Sequence, residues 1–125
     1  MKLIVDAMGG DRAPEEIILG AVMGRDANPG VEIIFTGDGE RIAAVLNAHG
    51  IDRSGIGIEH APTAIAMEED PLCILKTKKD SSMAKGLCLL RDGAGDAFLS
   101  AGSTGALIMG ASSRIYRIKL PGIRR

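Results

Sequence analysis

The sequence has almost no aromatic residues: two Phe, one Tyr and no Trp in 125 residues. Proteins that bind single-stranded nucleic acid usually stack the bases on aromatic rings. The formal net charge of −1 provides no basic field that would attract a nucleic-acid backbone or an anionic lipid surface. Nucleic acid is therefore not an expected partner.

Cysteine, metal-ligand spacings and long apolar runs are also scarce. Cys73 and Cys88 form no Cys-x-x-Cys pair, and His49 and His60 lie far from both in sequence, so no metal site is predicted. Both thiols fit the reduced core of a cytosolic protein. Only three apolar residues follow Lys2 before the first acid, too few for a signal-peptide core. No run approaches the roughly 18 apolar residues of a membrane span. The expected location is the cytoplasm.

The familiar nucleotide and nucleophile motifs are missing as well. Gly37-Asp38-Gly39 is followed by Ile42, where a dinucleotide-binding fingerprint needs a small residue. The sequence contains neither a Gly-x-x-x-x-Gly-Lys-Ser/Thr phosphate loop nor a Gly-x-Ser-x-Gly nucleophile elbow. A covalent serine or cysteine mechanism is therefore not indicated, and no cofactor is predicted.

What the sequence does contain is a regular alternation of short apolar runs and helical patterns. Such an alternation predicts a parallel sheet covered by helices on both faces, here as one α/β domain over residues 1–125. The predicted strands are 3–5, 31–35, 56–60 and 97–100, the last of them buried. The predicted helices run from Pro14 to Asn28, from Asp38 to Gly50, from 72 to 79, from 80–82 to Gly93, and from Ser103 toward Tyr116.

One stretch near the C-terminal end, 100–106, organises the rest. Here a strand turns through Gly102 and Gly105 into a helix, so free N–H groups and the helix dipole point at one place. Ser103 and Thr104 add hydroxyl groups, and the glycines leave room for a ligand. The stretch fits either a phosphate site or an ordinary turn in which Ser103 caps the helix.

The position of the glycine-rich turns favours a ligand. The turns at 6–11, 36–39 and 100–106 all follow the carboxyl ends of predicted strands, where parallel sheets bind their ligands. His60 is expected at the same edge, either as an acid or donor or as an ordinary strand-end residue. His49, near a helix C-terminus, is interpreted as a surface residue.

Further candidate residues lie beside these turns. Lys76, Lys78 and Lys79 lead into a helix start with two hydroxyls at 81 and 82, which fits a second anion site or a solvated helix face. Asp6 and Asp11 flank the first glycine pair. Asp11 is interpreted as structural, and Asp6 fits either a structural or a functional role.

Three stretches together carry a family resemblance: 5–11 (Val-Asp-Ala-Met-Gly-Gly-Asp), 78–83 (Lys-Lys-Asp-Ser-Ser-Met) and 100–106 (Ser-Ala-Gly-Ser-Thr-Gly-Ala). They resemble, in order and spacing, the signatures of the PlsX family, the bacterial phosphate acyltransferases of fatty acid and phospholipid synthesis. The resemblance implies transfer of a fatty acyl group from acyl carrier protein to inorganic phosphate. It also implies a three-layer fold like that of isocitrate dehydrogenase and phosphotransacetylase, and a cytoplasmic homodimer partly at the membrane surface.

Residues and resemblance together give a predicted site without metal or cofactor, which holds phosphate beside a thioester carbonyl and stabilises the oxyanion. The candidate catalytic residues are Lys79, Ser82 and His60. The candidate phosphate-binding residues are Asp6, Gly9, Gly10, Ser81, Gly102, Ser103, Thr104 and Gly105. Basic residues near the end fit either docking of the acidic carrier protein or a solvated helix end: Arg114, Arg117, Lys119, Arg124 and Arg125.

Two departures from the family pattern matter. The family usually has asparagine where this chain has Ser103, and family enzymes continue well beyond Arg125. The chain is therefore expected to be the N-terminal portion of such an enzyme, and to be inactive alone. Two other interpretations stay open: a phosphotransacetylase-like enzyme that uses acyl-coenzyme A, and a non-catalytic fragment or binding module.

Overall fold

The computed structural model describes residues 1–113. In this part of the chain four strands form one parallel sheet, each of them within a residue or two of its predicted position. The strands are β1 (Lys2–Asp6), β2 (Glu32–Gly37), β3 (Ile56–His60) and β4 (Ala97–Leu99). Their order across the sheet is β3-β2-β1-β4.

Three of the four described α-helices begin at a short polar side chain that caps them, whereas the first begins after Pro14 without such a cap. Asp38 accepts hydrogen bonds from the N–H groups of Glu40 and Arg41, as predicted for the second helix. Ser81 and Ser103 cap the two later helices in the same way. The α-helices are α1 (Glu15–Ala27), α2 (Gly39–Ala48), α3 (Ser82–Arg91) and α4 (Thr104–Ser112).

Helices cover both faces of the sheet, which confirms the predicted fold class. Alternation along β1 sends Val5 toward one face and Ile4 and Asp6 toward the other. On the first face, α1 and α2 pack on a core that includes Val5, Ile18 and Phe35. On the second face lie α3, α4 and a short 3₁₀ helix. The core residues of the second face are Ile65, Ile74, Met83, Ala84, Leu87 and Ala106.

The order of the strands places a switch point between β1 and β4. The chain moves outward from β1 through β2 to β3, and then returns to the other side of β1 to form β4. The loop after β1 leads to α1 on one face, whereas the loop after β4 leads to α4 on the opposite face. In open parallel sheets, the crevice between two such diverging loops is the usual ligand site.

Two predictions of local structure were wrong. The helix predicted for 72–79 is only a 3₁₀ turn, Pro71–Leu75, because the Lys78 N–H bonds back to the Cys73 carbonyl and the chain then turns toward the cap of α3. The last strand is not fully buried: Leu99 is 53% exposed, because β4 lies at the edge of the described sheet. The predicted end of the last helix near Tyr116 lies outside the described residues.

Gly86 lets helix α3 pack closely on strand β4. A Cβ atom at this position would overlap Cε1 of the Phe98 ring, so no larger residue fits here without a shift of the ring or the helix. Between residues 1 and 113, no helix is both long enough and apolar enough to cross a bilayer.

Candidate functional site

A buried carboxylate stands at the carboxyl end of β1 and binds three different parts of the chain. Asp6 is 1% exposed. Its Oδ1 atom accepts hydrogen bonds from Ser82 Oγ at 2.6 Å and from the Met8 N–H at 3.1 Å, and its Oδ2 atom accepts one from Ser100 Oγ at 2.8 Å. Because hydrogen bonds to a charged acceptor are among the stronger ones, Asp6 ties the start of α3 and the end of β4 to β1.

The glycine-rich turns at 6–11 and 100–106 contact each other beside this carboxylate. A Cβ atom on Gly9 would lie 2.8 Å from Asp6 Oδ2, 2.8 Å from the Gly102 nitrogen and 2.9 Å from Ser100 Oγ. The Gly102 N–H in turn donates to Ser100 Oγ at 3.1 Å. We call Asp6, Gly9, Ser82, Ser100 and Gly102 the Asp6 cluster. It occupies the crevice at the switch point and joins all three stretches that carry the family resemblance.

The first turn of α4 directly follows Gly102 of this cluster. Its cap, Ser103, is 6% exposed and accepts the Ala106 N–H at 3.2 Å, whereas Thr104 is exposed. The N–H groups of Thr104 and Gly105 belong to the first turn, where no partner exists within the helix. This end of α4 therefore offers backbone donors and one open hydroxyl to an anion.

The glycines of the predicted site have different structural reasons. Gly10 has a φ of 107°, a conformation that favours glycine, whereas the φ of Gly102 is not positive. A Cβ on Gly102 would lie only 3.2 Å from Ser100 Oγ and 3.3 Å from Gly9 Cα. A Cβ on Gly105 would lie 2.8 Å from Cγ of Pro71, so this glycine also allows α4 to pack on the 3₁₀ helix.

The start of α3 faces the same crevice, but its hydroxyls are already engaged. Ser81 and Ser82 are both buried. Ser81 Oγ accepts the Ala84 N–H at 3.2 Å, and Ser82 uses its only hydroxyl proton on Asp6. Thr36, which pairs with Asp6 in the sheet, donates to the Ser82 carbonyl at 2.8 Å. In this arrangement, Ser82 Oγ meets any further group as a hydrogen-bond acceptor.

The three lysines before α3 differ in their surroundings. Lys78 is half-buried, and its ammonium group lies 3.2 Å from the Ala64 carbonyl and 3.6 Å from a carboxylate oxygen of Glu69. Lys76 and Lys79 are exposed. Lys78 is therefore held by the loop before the 3₁₀ helix. Lys79 lies two residues before Ser81, the cap of α3.

The histidines lie apart from the Asp6 cluster. His60 pairs with Gly37 at the end of β3, with β2 between it and β1, and its Nδ1 atom accepts the Gly39 N–H at 3.1 Å. The structure therefore ties His60 to the start of α2, and its catalytic role stays a prediction. His49 caps the end of α2 and lies 3.1 Å from Glu15.

Two residues of the site were not singled out from the sequence. Ser100 binds Asp6 and Thr36 binds the Ser82 carbonyl, yet no role of its own was predicted from the sequence for either side chain, although each lies in one of the glycine-rich turns. Their signal is position: both lie at the carboxyl end of a strand that neighbours β1, so Ser100 meets Asp6 and Thr36 meets Ser82, the partner of Asp6. Only the strand order, which the sequence leaves open, reveals this.

The environment of Cys73 makes its thiol a poor nucleophile. Burial raises the pKa of this thiol, and the nearby Glu69 carboxylate raises the pKa further. At neutral pH the group is therefore largely protonated, whereas a thiolate is needed for attack. Within the described range, no group of three His, Cys, Asp or Glu side chains is arranged to hold a metal ion.

Comparison with known proteins gives a uniform result. A family model described as "Fatty acid synthesis protein" matches residues 1–125. The chain is 46% identical over 119 residues to a protein named phosphate acyltransferase from Acetivibrio thermocellus, covering 95% of this chain and 35% of the relative. It is 41% identical over 125 residues to the protein of the same name from Halothermothrix orenii, covering 100% of this chain and 37% of the relative. The chain thus spans about a third of the length of these relatives.

Proposed function

Because this chain belongs to the fatty acid synthesis protein family, we propose that it forms the phosphate-binding part of a phosphate acyltransferase. Its relatives carry that name. The observation that supports the proposal best is the position of the Asp6 cluster: it joins the starts of α3 and α4 at the switch point of the sheet. A switch point with two helix N-termini suits an anionic substrate.

The proposed reaction needs a positioned nucleophile more than an activated one. Phosphate already carries a nucleophilic oxygen, which attacks the thioester carbonyl; the carbon–sulfur bond then breaks and the thiol leaves. The protein must hold both reactants together and stabilise the oxyanion. In this proposal the first-turn N–H groups of α4, Thr104 and Lys79 contact phosphate. The buried residues Ser81, Ser82 and Ser103 hold the starts of α3 and α4 in place.

An apolar surface adjoins the same loop. A groove of about 420 Å³ runs along α1 and β4 and reaches Ser100 and Ala101. Ile17, Ala21 and Leu99 line it. Acyl transfer to phosphate requires an anion site for phosphate and an apolar surface nearby for the acyl chain, and in this proposal the two adjoin at Ser100 and Ala101.

The acyl donor is proposed to be the thioester of acyl carrier protein, which is acidic. The basic residues expected to dock it, Arg114, Arg117, Lys119, Arg124 and Arg125, lie outside the described residues. Cytoplasmic location, assembly as a homodimer and peripheral membrane contact are proposals of the same kind, based on the family resemblance.

The proposal is tested with the complete protein that carries this chain, incubated with inorganic phosphate and either acyl carrier protein thioester or acyl-coenzyme A. We expect acyl phosphate to form together with free carrier protein. Release of coenzyme A instead would establish the phosphotransacetylase-like alternative. If neither thioester is consumed, the proposed function is wrong.

The 125-residue chain alone is expected to form no acyl phosphate, because a site of this kind gathers residues from more strands than this chain supplies. The same assay checks this with a product verified by mass spectrometry. Acyl phosphate formation by the verified chain would contradict the prediction.

Lys79→Ala in the complete protein is expected to raise the KM for phosphate, by roughly tenfold if one charge-assisted hydrogen bond is lost. The thermal midpoint should change little, because Lys79 is exposed. Lys76→Ala removes a second exposed lysine from the same run and serves as the matched control. Equal phosphate kinetics in the two variants would show that Lys79 is an exposed surface residue that does not bind phosphate.

Ser82→Ala is expected to behave differently from Lys79→Ala. It removes a buried donor from Asp6, so we expect a lower thermal midpoint together with impaired phosphate use. A normal midpoint with impaired phosphate use would indicate direct contact between Ser82 and phosphate.

A further inference from the structure

The buried carboxylate of Asp6 poses a physical question if phosphate binds beside it. A carboxylate and a phosphate dianion repel each other, so a carboxylate close to the substrate needs a reason to be there. The hydrogen bonds supply one. Both oxygens of Asp6 accept from donors of the protein, and the two side-chain donors, Ser82 and Ser100, stand on different elements.

Ser100 links this carboxylate to the organising loop. Its hydroxyl donates to Asp6 Oδ2 at 2.8 Å, and the same oxygen accepts the Gly102 N–H at 3.1 Å. The hydroxyl therefore has a fixed direction, since its only proton points to Asp6. Gly102 immediately precedes the cap of α4, so the chain Asp6–Ser100–Gly102 sets where the first turn of α4 stands relative to β1.

We propose that Asp6 and Ser100 are positioning residues for phosphate, which act through the Gly102 backbone and do not contact the substrate. The inference rests on the proposed function, because it concerns the same anion site. Asp6 holds α3 through Ser82 and holds the loop before α4 through Ser100. Removing either link lets the start of α4 shift relative to β1 and α3, and its first-turn N–H groups no longer point at the anion site.

The test compares Ser100→Ala and Asp6→Asn in the complete protein by steady-state kinetics. Both variants are expected to raise the KM for phosphate roughly tenfold to a hundredfold. The KM for the acyl donor should rise by a smaller factor, because Asp6 and Ser100 only border the apolar groove. Exchange of the Gly102 amide hydrogen should become faster in both. The matched control is Asp52→Asn. Asp52 also accepts hydrogen bonds from a serine, Ser54, but it is exposed in the loop before β3, at the amino-terminal edge of the sheet.

Other outcomes overturn the inference. If the KM for phosphate stays unchanged while the thermal midpoint falls, Asp6 and Ser100 are structural only. If kcat falls while the Gly102 exchange rate and the KM for phosphate stay normal, Asp6 acts on the reacting atoms. If Asp6→Asn does not fold, Ser100→Ala decides alone, because it removes one hydroxyl from a partly exposed residue. A complete protein that forms no acyl phosphate at all would instead refute the proposed function.

Discussion

Valine in place of Gly86 is expected to lower the free energy of unfolding by about 3 kcal/mol or more, combining an overpacking cost of roughly 1–3 kcal/mol for the first carbon with that of two further methyl groups. The Cβ atom alone would overlap Cε1 of Phe98 and would lie 2.7 Å from Cδ1 of the same ring. Either the ring must leave the second core or α3 must move away from β4. Such a loss is a large part of the 5–15 kcal/mol that typically stabilises a domain.

Gly24→Val is the matched control for this prediction. Gly24 also lies within an α-helix, but a Cβ atom there would meet nothing within 4 Å. Valine is slightly better than glycine in a helix, so the control should be neutral or weakly stabilising. Thermal unfolding followed by circular dichroism compares the two. A similar midpoint for both variants would show that Phe98 yields without cost.

The local features of the fold were predictable because they depend on neighbouring residues. Asp38, Ser81 and Ser103 are small polar residues placed directly before helical patterns, and each caps its helix. Gly93, with a φ of 78°, ends α3 as expected for a glycine after a helix. Each of these helix ends depends on interactions within four or five residues along the chain, so the local sequence is enough to predict it.

The strand order could not be predicted in the same way. Nothing near residues 97–99 shows that β4 returns to the far side of β1, because this pairing joins residues more than ninety positions apart. The link between Ser100 and Asp6 follows from that pairing. The turns at 6–11 and 100–106 are therefore visible in the sequence, whereas their contact at Gly9 and Gly102 and the hydrogen bond from Ser100 to Asp6 are not.

The sequence also does not show which polar side chains are buried and which are exposed to a ligand. The sequence shows serines, a threonine and lysines near two helix starts, and all of them qualify as phosphate ligands on chemical grounds. Burial separates them: Ser81, Ser82 and Ser103 are buried and hydrogen-bonded, whereas Thr104 and Lys79 are exposed. Packing, which is a property of the whole fold, decides which donors remain open to a ligand.

Gly102→Val in the complete protein is expected to abolish phosphate binding. The reason is space at the start of α4: a Cβ atom would already stand 3.2 Å from Ser100 Oγ and 3.3 Å from Gly9 Cα, tighter than ordinary contact. The branched side chain would therefore push the loop away from β1 or project into the anion site. Loss of even one charge-assisted hydrogen bond, roughly 1.5–3 kcal/mol, weakens binding about tenfold to a hundredfold.

Ser103→Asn is the informative companion variant. Asparagine caps helices about as well as serine and adds an amide donor, so phosphate binding should be preserved or strengthened. Gly24→Val again controls for the valine substitution itself. Crystals of the complete protein soaked in phosphate or sulfate should show the anion near Ser103 and Thr104, facing the turn at 6–11. An anion at the amino-terminal edge of the sheet, with normal binding in Gly102→Val, would contradict the proposed site, because the α4 start would then have no part in holding the substrate.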